Sequence, residues 1–379
     1  MALGDNKKVR MGMVGGGQGA FIGEVHRLAA ALDGKIDLVC GAFSRDMENT
    51  KATGALLNID DNRLYASFDE MMTAEAAMPA EERMEFVAIV TPNHMHFPVA
   101  AAALKAGFAV LCDKPATLTL AEAEELEVII DETHGLFGLT HTYLGYPMVS
   151  QARDMVAKGE IGAVRKVYVE YHQGWLAGEQ DNKQAAWRTN PKTSGISGCM
   201  GDIGTHAHNL AEYITDSLVV ELASELTAFV AGRQLDDDGA ALLRFDNGST
   251  GVLSASQVCV GEENGLSIRV YGDKGGMQWR QQEPNSLRVT RIDAPEQLYR
   301  AGTDHLTDAA SRRCRTPAGH PEGYLEAFAN LYIDFAAAIK AGEKKKATGV
   351  PGIKEGVRGM AFIEAIVDSS NNNSRWTKI

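Results

Sequence analysis

Neither a disulfide framework nor a zinc knuckle is available to this sequence. Its five cysteines, Cys40, Cys112, Cys199, Cys259 and Cys314, are odd in number, far apart and in no paired ligand spacing. They read as reduced thiols, which points to a cytoplasmic protein. Positive charge is also in short supply: at a formal net charge of -13, the chain lacks the field that attracts phosphates, so neither nucleic acid nor a membrane surface is expected as a partner. No apolar run reaches the roughly 18 residues that a membrane span requires. Glycines break "VRMGMVGGG" before a signal-peptide core is complete. Internal repeats and low-complexity linkers are missing as well. A small solute is the partner that these absences leave.

What is present is a change of pattern part-way along 379 residues, more than one hydrophobic core usually supports. Up to about Gly138, the short apolar runs "VRMGMV", "IDLVCGAF", "FVAIVT", "AVLCD" and "LFGL" alternate with helical segments. That is the signature of a parallel sheet covered on both faces, a doubly wound Rossmann α/β domain expected over residues 1–145. Beyond Tyr168 the runs "KVYVEYHQGW", "VELASELTAFV", "ALLRFDNGSTGVLSASQV" and "LSIRVYGDKGGMQW" alternate in period two. Asn247 with Gly248, and Asp273 to Gly275, supply hairpin turns. An α+β domain with an open, mainly antiparallel sheet is therefore expected over 146–379, serving substrate binding and oligomerisation. Two late helical patterns follow, "PEGYLEAFANLYIDFAAAIKAG" and "PGIKEGVRGMAFIEAIVDSS", with a polar tail that frays or adds a short strand.

Chemistry concentrates at five places. The first strand runs into "GGGQGAFIGEVHRL", where Gly15 can make a tight turn, Gly17 can let backbone approach a pyrophosphate, and Ala20 or Gly23 can permit close helix–strand packing. Gln18 lies in the short insertion that the second choice requires. A phosphate would sit on the helix N-terminus, where free N–H groups favour anions. At the end of the second strand Ser44 and Arg45 take the place where an acid would read the ribose of NAD, so NAD(P) is expected with NADP favoured, although Asp46 follows at once. A third strand end supplies Thr91 and Asn93 to the cofactor, with His94 and His96 able to cap or pack instead. The fourth strand stops on Asp113, Lys114 and Pro115. A strand C-terminus in such a sheet points at the ligand, and proline fixes the backbone that follows, which would hold Lys114 beside a nicotinamide. In the second domain Asp202 and His206 are four apart at a helix start and are expected on one side, where histidine suits removal of a hydroxyl proton. Adding His208 gives no metal site, for lack of a third ligand cluster.

The glycine loop, "TPNHMH", "DKP" and "GDIGTH", in this order, resemble the Gfo/Idh/MocA family of NAD(P)-dependent sugar and polyol dehydrogenases, over nearly the whole chain. The resemblance implies Lys114, Asp202 and His206 as the catalytic set, with the histidine as proton acceptor. It departs from the family in three places: Asp113 replaces the usual glutamate, Asn209 stands where many members have an aspartate, and the glycine loop is longer. Tyr143, Trp187, Arg188 and Tyr324 are expected to line the substrate with Asp202 and His206, while His320 and Glu322 either reach it or cap a helix. The expected activity is hydride transfer between NAD(P) and a secondary alcohol of a cyclic sugar, glycoside or inositol-like polyol, by a homodimer or homotetramer. Two alternatives stand beside it: a glycosidase that oxidises its sugar transiently on a retained nicotinamide, and a non-enzymatic cofactor sensor.

Overall fold

A computed structural model describes residues 7–180 and 183–379, which fall into two compact units. The first comprises residues up to Thr140 with Phe328–Val357. The second comprises His141–Ala327 with Arg358–Ile379.

The first unit contains β1 (Val9–Gly15), α1 (Phe21–Ala31), β2 (Ile36–Ala42), α2 (Met47–Leu56), α3 (Phe68–Ala77), β3 (Phe86–Val90), α4 (His96–Lys105), β4 (Ala109–Cys112), α5 (Leu120–Thr133) and β5 (Phe137–Leu139). Its sheet is parallel in the order β2-β1-β3-β4-β5, as a doubly wound fold requires. Every residue of β3 is buried, which is why the apolar runs here do not alternate. The helix starts follow local chemistry: Asp46 caps α2, Ser67 caps α3, and Thr119 with Glu122 forms a full capping box on α5. Glu75, wholly buried on α3, accepts from Arg63 Nε and Nη2 at 2.7 Å each, from Tyr65 Oη at 2.8 Å and from the Met84 N–H at 2.8 Å. Buried charge persists there because each carboxylate oxygen is paired.

The second unit holds α6 (Pro147–Ala157), β6 (Val164–His172), α7 (Lys183–Arg188), α8 (Pro191–Ser194), α9 (Thr205–Thr215), β7 (Val219–Thr227), β8 (Asp238–Phe245), β9 (Thr250–Ser256), β10 (Gly265–Gly272), β11 (Gly275–Arg280), β12 (Ser286–Arg291), β13 (Ala294–Arg300) and α10 (Asp308–Ser311). The helices α11 (Tyr324–Ala341) and α12 (Ile353–Asn371) each contain a boundary of the units, and β14 (Thr377–Lys378) ends the chain. Among the described residues the sheet has nine strands in the order β13-β12-β11-β10-β6-β9-β8-β7-β14. It is antiparallel except that β6 and β9 run parallel, since β9 follows β6 only after α9, β7 and β8. The tail makes a short strand on β7 rather than fraying.

The division differs from 1–145 and 146–379 in two respects with packing causes. The turn ending at Gly145 lies so close to Ala327 that a Cβ on Gly145 would stand 1.9 Å from its carbonyl oxygen. Residues 328–357 return to the first unit because their side chains complete its core. Phe335 packs edge-on against Phe86 at 5.4 Å, and a Cβ on Gly138 would meet Val350 at 2.9 Å and Phe335 at 3.1 Å.

Candidate active site

The turn after β1 is built on left-handed glycines: Gly15, Gly16 and Gly19 have φ of +83°, +74° and +81°. Of the two candidates for close helix–strand packing, the role falls on Gly23. A Cβ there would stand 2.3 Å from Gly16 Cα, whereas Ala20 is the half-exposed residue before α1. Gly17 is needed for a reason the sequence did not suggest. A Cβ on it would stand 2.4 Å from Asn49 Oδ1, and Asn49 is the tether of the insertion, accepting from the Gln18 N–H at 3.1 Å and donating to the Gln18 carbonyl at 3.2 Å. Thr53 Oγ1 takes the same Gln18 N–H at 3.1 Å, and Arg27 Nη1 holds the Gly16 carbonyl at 2.6 Å. No side chain caps α1, so its first N–H groups face the loop as anion donors. The loop thus fits a pyrophosphate.

At the end of β2, Ser44 is tied to α2 through Thr50, and Asp46 is engaged as the cap, its Oδ1 accepting from the Glu48 N–H at 3.0 Å. Arg45 beside them is exposed. The cation stands out to solvent while the acid is held by its own helix. Thr91 and Asn93 follow β3, with Asn93 buried at the start of a short 3-10 turn over Asn93–Met95.

Lys114 leaves the end of β4 in a turn whose Lys114–Pro115 peptide is cis. Asp113 Oδ1 accepts from the Lys114 N–H at 2.9 Å and from Thr140 Oγ1, beyond β5, at 2.9 Å. His96 is buried under this turn, with Nδ1 2.7 Å from the Pro115 carbonyl oxygen and Nε2 2.9 Å from that of Thr91. Burial pushes its imidazole below the ordinary value, against the pull of those carbonyls and of Asp113.

In the second unit, Asp202 lies in a π-helical turn, Met200–Gly204, that leads into α9, and His206 is the second residue of α9. Such wide turns are frequent at functional sites. Asp236 anchors this one: Oδ1 accepts from Ser197 Oγ at 2.9 Å and the Gly198 N–H at 2.8 Å, and Oδ2 from the Met200 N–H at 2.9 Å. Burial nevertheless raises its pKa. Asp202 Oδ2 accepts from Arg188 Nε at 3.1 Å and Gln257 Nε2 at 2.9 Å, and the Arg188 guanidinium lies over the Trp187 ring at 4.3 Å. His206 is 8% exposed and walled by aromatic edges: Tyr143 at 4.9 Å and 84°, His141 at 5.4 Å and 89°, and Tyr171 at 6.2 Å and 55°. Tyr143 and Tyr171 are hydrogen-bonded through their hydroxyls, and Asn264 joins both, at 3.1 Å and 2.7 Å. Burial raises both phenols, so they stay protonated. Tyr324 reaches this cluster with its ring 6.4 Å from that of Tyr143.

His208 and Glu322 are engaged in structural contacts. His208 stacks on Phe362 at 4.4 Å and meets Glu212 at 3.2 Å. Glu322 ties down the chain before it, accepting from the Thr316 N–H at 2.8 Å, and His320 is exposed.

Two family profiles match successive parts of the chain: an oxidoreductase family with an NAD-binding Rossmann fold over residues 9–141, and the GFO/IDH/MocA C-terminal domain over 149–278. The uncharacterized oxidoreductase YfiI of Bacillus subtilis is 33% identical over 384 residues, spanning 98% of this chain and 97% of its own. The chain belongs to the Gfo/Idh/MocA family of oxidoreductases. An oxidoreductase from Sinorhizobium meliloti of solved structure is 46% identical, with a TM-score of 0.88 over 98% of this chain and 100% of that one. The inositol dehydrogenase homolog of Azotobacter vinelandii, solved with NADH and myo-inositol, is 33% identical, with a TM-score of 0.91 over 98% of each chain.

This Gfo/Idh/MocA enzyme therefore carries its NAD-binding function on the first unit. Around the motifs its fold gathers residues that the motifs themselves do not announce. Asn49 comes from α2, and Thr140, His141, Tyr171, Asp236, Gln257 and Asn264 come from loops and a strand farther along the chain, and nothing in their local spacing marks them.

Proposed function

We propose that this enzyme oxidises a secondary alcohol of a cyclic sugar, glycoside or inositol-like polyol, with NADP accepted at least as well as NAD. The observation that carries the reading is the pairing of Asp202 and His206 on successive turns, with the carboxylate oriented by Arg188 and Gln257 and the imidazole walled by aromatic rings. Carboxylate, imidazole, guanidinium and phenols together match a ring bearing several hydroxyls. The A. vinelandii homolog was solved with myo-inositol, which supports the polyol class.

A nicotinamide cofactor supplies the hydride acceptor; Gly15, Gly16, Gln18 and the start of α1 would hold its phosphates, Ser44 and Arg45 its ribose end, Thr91 and Asn93 the strand-end side. Removing a hydride from a carbinol carbon requires its hydroxyl proton to depart. His206 would take that proton at one ring nitrogen. Lys114, a fixed positive charge, would stabilise the alkoxide as it forms, and Asp202 would orient a hydroxyl. Tyr143, Trp187, Arg188 and Tyr324 complete the substrate surface. The five unpaired cysteines suit a cytoplasmic setting, and the outer sheet face of the second unit suits a homodimer or homotetramer.

The test is a screen of inositols, monosaccharides and glycosides with each cofactor, followed by nicotinamide absorbance. In the best pair, His206→Ala should lower kcat by roughly 100- to 10,000-fold and leave cofactor binding nearly intact. Near-full activity with an unchanged pH profile in that variant would remove His206 as the base.

A further inference from the structure

The cofactor-side turn contains a histidine whose ring is used up by backbone. His96, the first residue of α4, is 1% exposed, and its two ring nitrogens lie 2.7 Å and 2.9 Å from two carbonyl oxygens, those of Pro115 and Thr91. These carbonyls belong to the ends of neighbouring strands: Thr91 follows β3, and Pro115 follows β4 by way of Lys114. Neither ring nitrogen is left to bond a cofactor.

Proline has no N–H, so the turn at Lys114–Pro115 cannot be held from the proline nitrogen. It is held from both sides by side chains instead. Upstream, Asp113 takes the Lys114 N–H and is itself fixed by Thr140. Downstream, the ring of His96 takes the Pro115 carbonyl. We propose that His96 is a positioning residue that acts through Lys114, pinning the Pro115 carbonyl to the end of β3 so that the lysine keeps one direction. The inference rests on Lys114 serving the reaction as set out above.

A neutral imidazole offers one donor and one acceptor, while both of its neighbours here are acceptors. Burial disfavours the doubly protonated ring, so one contact is a hydrogen bond and the other is held by the first. The Pro115 contact is the shorter and is the one that touches the turn. Two amide side chains separate them: the Asn nitrogen falls near the place of Nδ1 and can keep the Pro115 bond, while the Gln nitrogen falls near Nε2 and can keep only the Thr91 bond.

The experiment uses the full chain and the best substrate and cofactor from the screen, with kcat, KM, cofactor Kd by nicotinamide fluorescence and Tm measured for His96→Leu, His96→Asn and His96→Gln. Misplacing a reacting group by about 1 Å can cost on the order of 100-fold. His96→Leu should therefore lose about 100-fold in kcat, with cofactor Kd and substrate KM changed little. His96→Asn should regain most of this and His96→Gln little, at similar Tm. In a Lys114→Ala background, His96→Leu should cause no further loss, because its effect runs through the missing lysine. A loss in kcat that multiplies with that of Lys114→Ala overturns the inference, as does a loss confined to cofactor Kd or to Tm. If Lys114→Ala alone leaves kcat unchanged, the catalytic reading of the lysine falls first, and the single variant shows it before the double one is read.

Discussion

Arg45 and Asp46 are neighbours with opposite assignments. The aspartate is drawn into capping α2, and the arginine is left exposed at the end of β2. A 2'-phosphate meets a cation there and a plain 2'-hydroxyl does not need one, so Arg45→Ala should weaken NADP binding by roughly 10-fold, the worth of one charge-assisted contact of about 1.4 kcal/mol, and leave NAD binding within about twofold. Titration of the apo protein with each cofactor checks this; unchanged NADP affinity, with NAD far the tighter, would hand the ribose to Asp46. At this scale local placement was legible in the sequence: Lys114 follows the end of a strand beside proline, and His206 opens a helix four residues after Asp202, as their motifs suggest. Their supports were not legible. Gln257 meets Asp202 across 55 positions and Thr140 meets Asp113 across 27, and such contacts exist only once strands are laid in order.

Elements of the first unit could be read from their apolar runs because its central strands are buried on both faces, β3 along its whole length, and α2, α3 and α5 open on side-chain caps. In the second unit, β12 and β13 escaped: "SLRVTR" and "APEQLYR" carry charge and, in the second, proline, as a sheet margin tolerates. Nor does an alternating pattern say which neighbour a strand takes, so the parallel pairing of β6 with β9 was not foreseeable. Helix α11 likewise joins the first unit for a reason that periodicity does not carry: Tyr332 Oη lies 2.7 Å from Nδ1 of His26 on α1, with Phe328 edge-on to the same ring at 4.5 Å. That buried link makes a prediction about acid. Desolvation lowers the His26 pKa from 6.5 to about 4, so as pH falls below 6.5 the unfolded chain takes up a proton that the folded one refuses. The stability that His26 contributes as a neutral ring is thus complete above about pH 6.5 and falls by about 3 kcal/mol by pH 4. Denaturant unfolding of the parent and of His26→Gln should show the variant weaker at pH 7, with the difference between them closing toward pH 4. A difference independent of pH would mean that the ring is not buried neutral.

For the molecule as a whole, the second unit's sheet raises the question of what its outer face meets. Along β6, Val167, Val169 and Tyr171 are buried, and so Lys166, Tyr168 and Glu170 point the other way. The pairing registers place Ala223, Leu242, Val252, Tyr168 and Arg269 in one row across β7, β8, β9, β6 and β10. Leu242 in that row is 50% exposed, and the Arg269 guanidinium lies 5.1 Å from the centre of the Tyr168 ring. On one side the next row reads Glu225, Ala240, Ser254, Glu170 and Ser267; on the other it reads Glu221, Arg244, Thr250, Lys166 and Tyr271. An apolar stripe between polar rows has the anatomy of an interface core and its rim, and a large exposed apolar residue mid-sheet is what a contact surface would explain. A sheet face meeting its own copy about a two-fold axis closes on itself, which is how homodimers and the tetramers built from them form. Light scattering at micromolar concentration should therefore give the mass of a dimer or tetramer. Leu242→Glu, which puts a charge opposite its own copy in the middle of the stripe, should shift that mass toward the monomer at unchanged secondary structure. A monomeric parent would end the idea of assembly, and an oligomer indifferent to Leu242→Glu would move the interface to another face.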